Sequence, residues 1–219
     1  MKIDLHVHTS EASLCGQISG EDMARAYRDA GYDLVVLTNH MTSWYVGKPY
    51  RDKGIYSPKL FDEAYEIFAE AGEKCGLRTL KGMEYNVPGT GDFLIYGDSR
   101  FIIDRFPEIF DINVRTLGEL CRENGALLYQ AHPFRDDIRI VDPQLLFGIE
   151  VINGAKCHDS RNDIATAWAE KYGLHRVAGS DSHQLIQVGT AGVVTGMDIR
   201  TDDDLLEMLR TDNYTVFGE

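Results

Sequence analysis

A chain of 219 residues, 43% hydrophobic and 26% charged, has the composition of an ordinary globular protein and is long enough to enclose a core. Its formal net charge of −13 argues against a nucleic-acid polymer or an anionic membrane as main partner. No apolar run approaches the ~20 residues that span a bilayer, no signal-like segment opens the chain, and Cys15, Cys75, Cys121 and Cys157 form no C-x-x-C pair, which suits a reduced cytoplasm.

Residues 2–8 alternate Ile3, Leu5 and Val7 with Asp4, His6 and His8. This period-2 pattern predicts a strand with both histidines on one side. Asp4 is expected on that side too, placed to accept a ring N–H and fix a histidine tautomer. Residues 19–30 read as a helix with Ser19 as N-cap, Asp22 at the capping-box position and Gly31 as stop. Residues 33–37 read as a buried strand. The connection 41–57 exceeds the usual ~4–6 residues. It carries Trp44, Tyr45, Lys48, Tyr50, Arg51, Lys53 and Tyr56, and reads either as a surface loop or as a substrate lid.

A helix follows over 58–74, with Pro58 in its first turn. Strands are expected at 78–83 and 93–96, helical structure at 99–110, and a helix at 115–123 closed by Asn124-Gly125. Further strands fall at 126–130, 148–152 and 176–178, with helices at 159–172 and 201–210 and a last short strand at 214–217. The alternation predicts parallel βα units in a single α/β domain. Seven strands ending in polar residues suggest a closed or nearly closed barrel with its site at the strands' C-terminal mouth. A doubly wound open sheet is the alternative, but no Gly-rich phosphate-binding fingerprint follows the first strand.

The chemistry is concentrated at those strand ends. His6 and His8, then Glu11, follow the first strand; Thr38, Asn39 and His40 the second; Glu84 the third. Asp92 stands beside the fourth, His132 after the fifth, Asn153 and His158 after the sixth, and Ser180, Asp181, Ser182 and His183 after the seventh. A single strand-end histidine is more often a hydrogen-bonded structural residue than a ligand. Here His6, His8, His40, His132 and His183, five of the seven histidines, occupy such ends, which points to a polynuclear metal centre. His175 lies at the opposite end of its strand and reads as structural.

The motifs DLHVHT (4–9), LTNH (37–40), GMEYN (82–86), AHPF (131–134), IEVING (149–154) and GSDSH (179–183) occur in this order over nearly the whole chain. In this the chain resembles the PHP (polymerase and histidinol phosphatase) family. The resemblance implies a distorted (β/α)7 TIM-like barrel, two or three divalent metal ions and phosphoester hydrolysis. It implies His6, His8, Glu84 and Asp181 at the first metal, Glu84 bridging to a second held also by His132, and His40 with His183 at a third. Two positions depart from the commonest pattern: Asp92 of GDFLIYG stands where many relatives have histidine, and Asn39 where many have aspartate. Glu11 is taken, over Cys15, as the third-metal ligand from the first loop.

Imidazole and carboxylate ligands suit Zn, Mn or Fe. Three such ions would bring roughly six positive charges against roughly four negative ones from Glu11, Glu84, Asp92 and Asp181, leaving the site locally positive inside an acidic protein. That suits a phosphate attacked by a metal-activated water, with Glu84, Asp181 and His183 as the catalytic set. Arg135, just after His132-Pro133-Phe134, could clamp a phosphate oxygen, and Lys156 and Arg161 could add charge. The expected activity is that of a cytoplasmic metal-dependent phosphoesterase acting on a small phosphorylated metabolite or nucleotide. Histidinol phosphate, a nucleotide bisphosphate, a short oligonucleotide end and phosphotyrosine are candidate substrates. The alternatives are an amidohydrolase-type enzyme acting on a non-phosphate substrate and a non-catalytic metal-binding module.

Overall fold

The computed structural model describes residues 1–46, 58–106 and 108–218. Residues 47–57, most of the connection read as a lid, lie outside the described residues. Strands β1 (Lys2–Val7), β2 (Leu34–Leu37), β4 (Arg78–Val87), β5 (Gly91–Tyr96), β6 (Leu127–Gln130), β7 (Gly148–Asn153) and β8 (His175–Gly179) follow one another around a strongly curved sheet. The ring closes where Val7 bridges Ser182: His8 N–H donates to Ser182 O at 3.0 Å and Asp181 N–H to His6 O at 2.8 Å. A two-residue strand β3 (His40–Met41) pairs with β4, and the hairpin of β9 (Ala191–Val194) and β10 (Thr215–Gly218) extends the sheet from β1.

The barrel expected from the alternation is present, but it is not wholly parallel. β5 runs antiparallel to both β4 and β6. The physical reason is the three-residue turn 88–90 between β4 and β5. A parallel return needs a crossover of a dozen or more residues, so this connection can only make a hairpin.

Helices α1 (Gly20–Asp29) and α3 (Pro58–Cys75) cover one flank, with the one-turn α2 (Ser43–Val46) between them in sequence. α4 (Arg100–Ile103), α5 (Val114–Glu123), α6 (Asn162–Tyr172) and α7 (Asp202–Thr211) follow. Ser19 caps α1 by accepting from Asp22 N–H, and Thr201 and Asp204 form a reciprocal capping box on α7. The region 99–110 holds only α4 and a 3-10 turn at Glu108–Asp111.

Inside the ring, Ile3, Leu5, Leu94, Tyr96, Tyr129 and Val177 pack together, and Leu205, Leu206, Met208 and Leu209 of α7 join them. α7 sits at the end where the strands begin, since Arg78 donates to Ile199 O just ahead of it. With that end plugged by apolar side chains, the polar strand termini are left to gather at the other. Among the described residues no helix is long and apolar enough to cross a membrane, and no disulfide joins the cysteines.

Candidate metal centre

Glu84 lies at the middle of the polar mouth, on β4, with its side chain fully buried. Its two oxygens face different partners. Oε1 is 3.2 Å from His6 Nε2 and 3.1 Å from His132 Nε2. Oε2 is 3.3 Å from His8 Nε2 and 2.6 Å from His40 Nδ1. Asp181 approaches from the end of β8, with Oδ1 3.5 Å from His6 Nε2 and 3.4 Å from His8 Nε2.

Three sets of ligand atoms result, each mutually within 4.8 Å: His6, His8 and Asp181; His6, Glu84 and His132; and His8, His40 and His183. Nitrogen and carboxylate donors in such groups fit divalent ions. The fit is supported by two orphaned atoms, for His6 Nε2 and His8 Nε2 are buried without a hydrogen-bond partner. A buried, unpaired polar nitrogen costs about 1–3 kcal/mol, which a bound ion would offset.

The supporting residues explain how the ligands are aimed. Glu150 on β7, absent from the expected site, lies 2.9 Å from His6 Nδ1 through Oε1, and its Oε2 accepts from His132 N–H at 2.9 Å and Asn153 Nδ2 at 2.9 Å. It holds the far side of one ligand ring and the backbone of another. The signal for it was present: a carboxylate inside the otherwise apolar run Gly148-Ile149-Glu150-Val151-Ile152 must have buried partners. The tautomer-fixing role expected of Asp4 therefore falls to Glu150. Asp4 instead accepts from the backbone N–H of His6 (3.1 Å) and Ser180 (3.0 Å) and from Tyr27 of α1 (2.8 Å). β1 shifts register against β2 between Asp4 and Val7, so strict alternation breaks within that stretch. His8 Nδ1 meets Ser13 Oγ at 3.1 Å.

His132 (φ 27°) and Asp181 (φ 52°) are non-glycine residues in the left-handed region. Such conformations cost of order 1–3 kcal/mol and persist where the surroundings over-determine them. Here they turn two strand ends inward.

The electrostatics follow the same contacts. Burial opposes the ionisation of Glu84 and Asp181. His40 and His6 overcome it at Glu84, and His6 and His8 at Asp181, holding both carboxyls well below their ordinary range. Burial, with His40 and His183 alongside, drives His8 well below the ordinary imidazole value. Burial also opposes the Cys15 thiolate, but hydrogen bonds with the rings of His183 and His40 bring the thiol down to about 5.

A cavity of about 310 Å³ opens over the centre, lined by His40, Asp92, His132, Arg135, Asp181 and His183 among others. Asp92 is 4.0 Å from His132 Nε2 through Oδ2, while its Oδ1 accepts from Asn86 Nδ2 at 2.7 Å. It stands beside the centre and in none of the three groups. Arg135 donates to Asp181 Oδ2 and Asn153 Oδ1, each at 2.9 Å.

Three expected site residues are not brought in. Glu11 Oε1 accepts from Gly20 N–H at 2.8 Å, drawn to the start of α1. Arg161 is tied to Asp136 Oδ1 at 2.6 Å and to Phe134 O, and Lys156 is exposed outside the cavity lining. His158 and Cys157 do line the cavity, and His175 is structural, stacked on Phe147 at 4.0 Å and 2.9 Å from Asp212.

Residues 159–214 match the PHP-associated family. No curated protein matches the sequence. The structure resembles PsfC from Pseudomonas syringae, with TM-score 0.71 and 19% identity over all of this chain and 91% of that one. It also resembles a Bifidobacterium adolescentis protein assigned as a metal-dependent phosphoesterase (TM-score 0.56, 17% identity, 95% of each chain). A third is the lesion-specific endonuclease PfuEndoQ from Pyrococcus furiosus (TM-score 0.61, 13% identity, 98% of this chain and 57% of that one). At such identities the likeness shows the fold. The family match is confined to residues 159–214, and the neighbours share the fold of the chain. The fold is thus shared with a lesion-specific endonuclease.

Proposed function

We propose that the chain is a metal-dependent phosphoesterase acting on a small phosphorylated metabolite or nucleotide. The observation that carries the reading is the sharing of Glu84 between the histidine groups, beneath a cavity that also holds Arg135. His6, His8 and Asp181 would hold one ion with Glu84, which would also join His132 at a second, and His40 and His183 would serve a third; each ring nitrogen has one lone pair and serves one ion. When bound, such ions make water nucleophilic at neutral pH and neutralise charge on a phosphoryl group.

The chain's own groups supply the rest. The two Glu84 oxygens, each turned to a different pair of rings, set the spacing of the sites. Asp181 is kept ionised by His6 and pinned by Arg135, so it acts as a ligand and a fixed charge, with no proton to give a leaving group. Arg135, oriented by Asp181 and Asn153, lines the cavity, where its guanidinium would engage a phosphate oxygen.

The test is hydrolysis of an aryl phosphate by protein reconstituted with Zn, Mn or Fe. Turnover is expected from the wild type, with a fall of more than about 100-fold in His8→Ala and in Asp181→Asn, beyond the 10–100-fold typical for loss of a partner behind a ligand. Far-ultraviolet circular dichroism of both variants should match the wild type. Undiminished turnover in either variant would remove the assignment; hydrolysis of amides or lactones but of no phosphoester would favour the amidohydrolase alternative.

A further inference from the structure

The cavity wall holds an imidazole that none of the three ligand groups uses. His158, in the loop after β7, lines the cavity together with His132, Arg135, Asp181 and His183. His132 and Asp181 are buried whereas His158 is exposed, so it stands on the solvent side of that wall. Among the described residues its backbone N–H donates to Ala155 O at 3.2 Å, and no hydrogen bond or ion pair claims its ring. Partial burial and then the nearby Arg135 guanidinium lower its pKa from the ordinary imidazole value; Asp181, His132 and His183 also face it. Two groups of like charge on one cavity repel each other until an anion lies between them, and a phosphate dianion supplies that charge.

We propose that His158 gives a proton to the leaving oxygen, and that the site therefore takes phosphate esters of aliphatic alcohols. The inference rests on the phosphoesterase reading above and deepens it by naming the class of ester. In-line displacement drives the leaving oxygen away from the attacking water. With attack from the buried side, where Glu84 and the ligand rings lie, that oxygen departs toward solvent and His158. The other protonated or protonable groups of the wall are engaged elsewhere. His40, His132, His183 and Asp181 belong to the ligand groups, Asp92 accepts from Asn86, and Arg135 keeps its protons at any ordinary pH. As the bond from the water oxygen to phosphorus forms, the bond from phosphorus to the ester oxygen breaks. The ester oxygen keeps the electron pair and takes the imidazolium proton. The neutral imidazole recovers a proton from solvent, to which the surplus proton of the attacking water also passes. A nitrophenolate departs without such help, but an aliphatic alkoxide is too basic to leave unprotonated.

The experiment compares kcat of the metal-reconstituted full chain on 4-nitrophenyl phosphate and on phenyl phosphate, two esters of similar shape with a better and a poorer leaving group. General acid catalysis is worth about 10²–10⁴-fold, so His158→Gln should lose about 100-fold more kcat on phenyl phosphate than on 4-nitrophenyl phosphate. Its metal content by elemental analysis should equal that of the wild type, which separates proton donation from damage to the centre. Cys157→Ser, beside it on the wall, should keep the wild-type ratio between the two esters. The wild type should also hydrolyse at least one of glycerol phosphate, ribose 5-phosphate and AMP, with a loss of about 100-fold or more in His158→Gln. An equal fall on both aryl esters, or a changed ratio in Cys157→Ser alone, would overturn the proton-donor role. Wild-type turnover of the aryl esters and of none of the aliphatic ones would overturn the ester class and leave the phosphoesterase reading standing. Absence of any phosphoester turnover by the wild type would overturn that reading, and this inference with it.

Discussion

Glu150 takes three partners on one carboxylate: the His6 ring, the His132 backbone and the Asn153 amide. It fixes which His6 nitrogen faces the centre, and it helps hold His132 in its positive-φ conformation. Glu150→Gln keeps the size but exchanges one accepting oxygen for a donor, set against groups that already donate. Metal affinity should fall roughly 10–100-fold, measured by competition with a chromophoric chelator; unchanged affinity would mean that Glu150 supports only the fold. At this scale the histidines were legible because each ends a predicted strand, a position that period-2 patterning locates well. Glu11 and Asp4 were not, because their partners are a helix start and a helix tyrosine, brought close only by the folded chain.

The join between β1 and β8 aims the first two ligands. A Cβ built on Gly179 would lie 2.3 Å from His6 Cβ and 2.7 Å from its backbone nitrogen, so only glycine lets the strands approach this closely. Gly179→Ala must push His6 away from Glu84 and Asp181. A loss of stability of about 1–3 kcal/mol is expected in denaturant melts, together with weaker metal binding; wild-type values of both would show that the strands can separate without cost to the site. Most elements were visible in sequence because caps such as Ser19 and Thr201 and alternating apolar runs mark them locally. The antiparallel β4–β5–β6 segment was missed although Pro88-Gly89-Thr90 announced it. That turn leaves no room for a crossover, and length there outweighs the βα rhythm on either side.

The protein carries a net charge of −13 and confines Glu84, Glu150 and Asp181 to one buried volume with five histidines around it. Bound cations would relieve that concentration of carboxylates, so folding and metal loading should be linked. At free metal near a thousand times the dissociation constant, one site adds about 4 kcal/mol. Chelation should therefore lower the melting temperature and re-addition of Zn or Mn restore it, followed by calorimetry; a melting temperature indifferent to chelation would disconnect the clusters from metal. The barrel itself was legible at this scale, because seven polar-ended strands admit few other closures. The β9–β10 extension was legible only in part, for its pairing onto β1 spans almost the full length of the chain.

The closure of the ring through Val7 and Ser182 also sets an order of assembly during synthesis. His6 and His8 leave the ribosome first, while Asp181 and His183 emerge only after most of the chain has been made. A nascent protein can gather β2, β4 and their covering helices early, yet it holds incomplete ion sites until its last quarter arrives. The group of His6, Glu84 and His132 can be complete once His132 has emerged, whereas the groups that need Asp181 or His183 would be completed only near the end of synthesis.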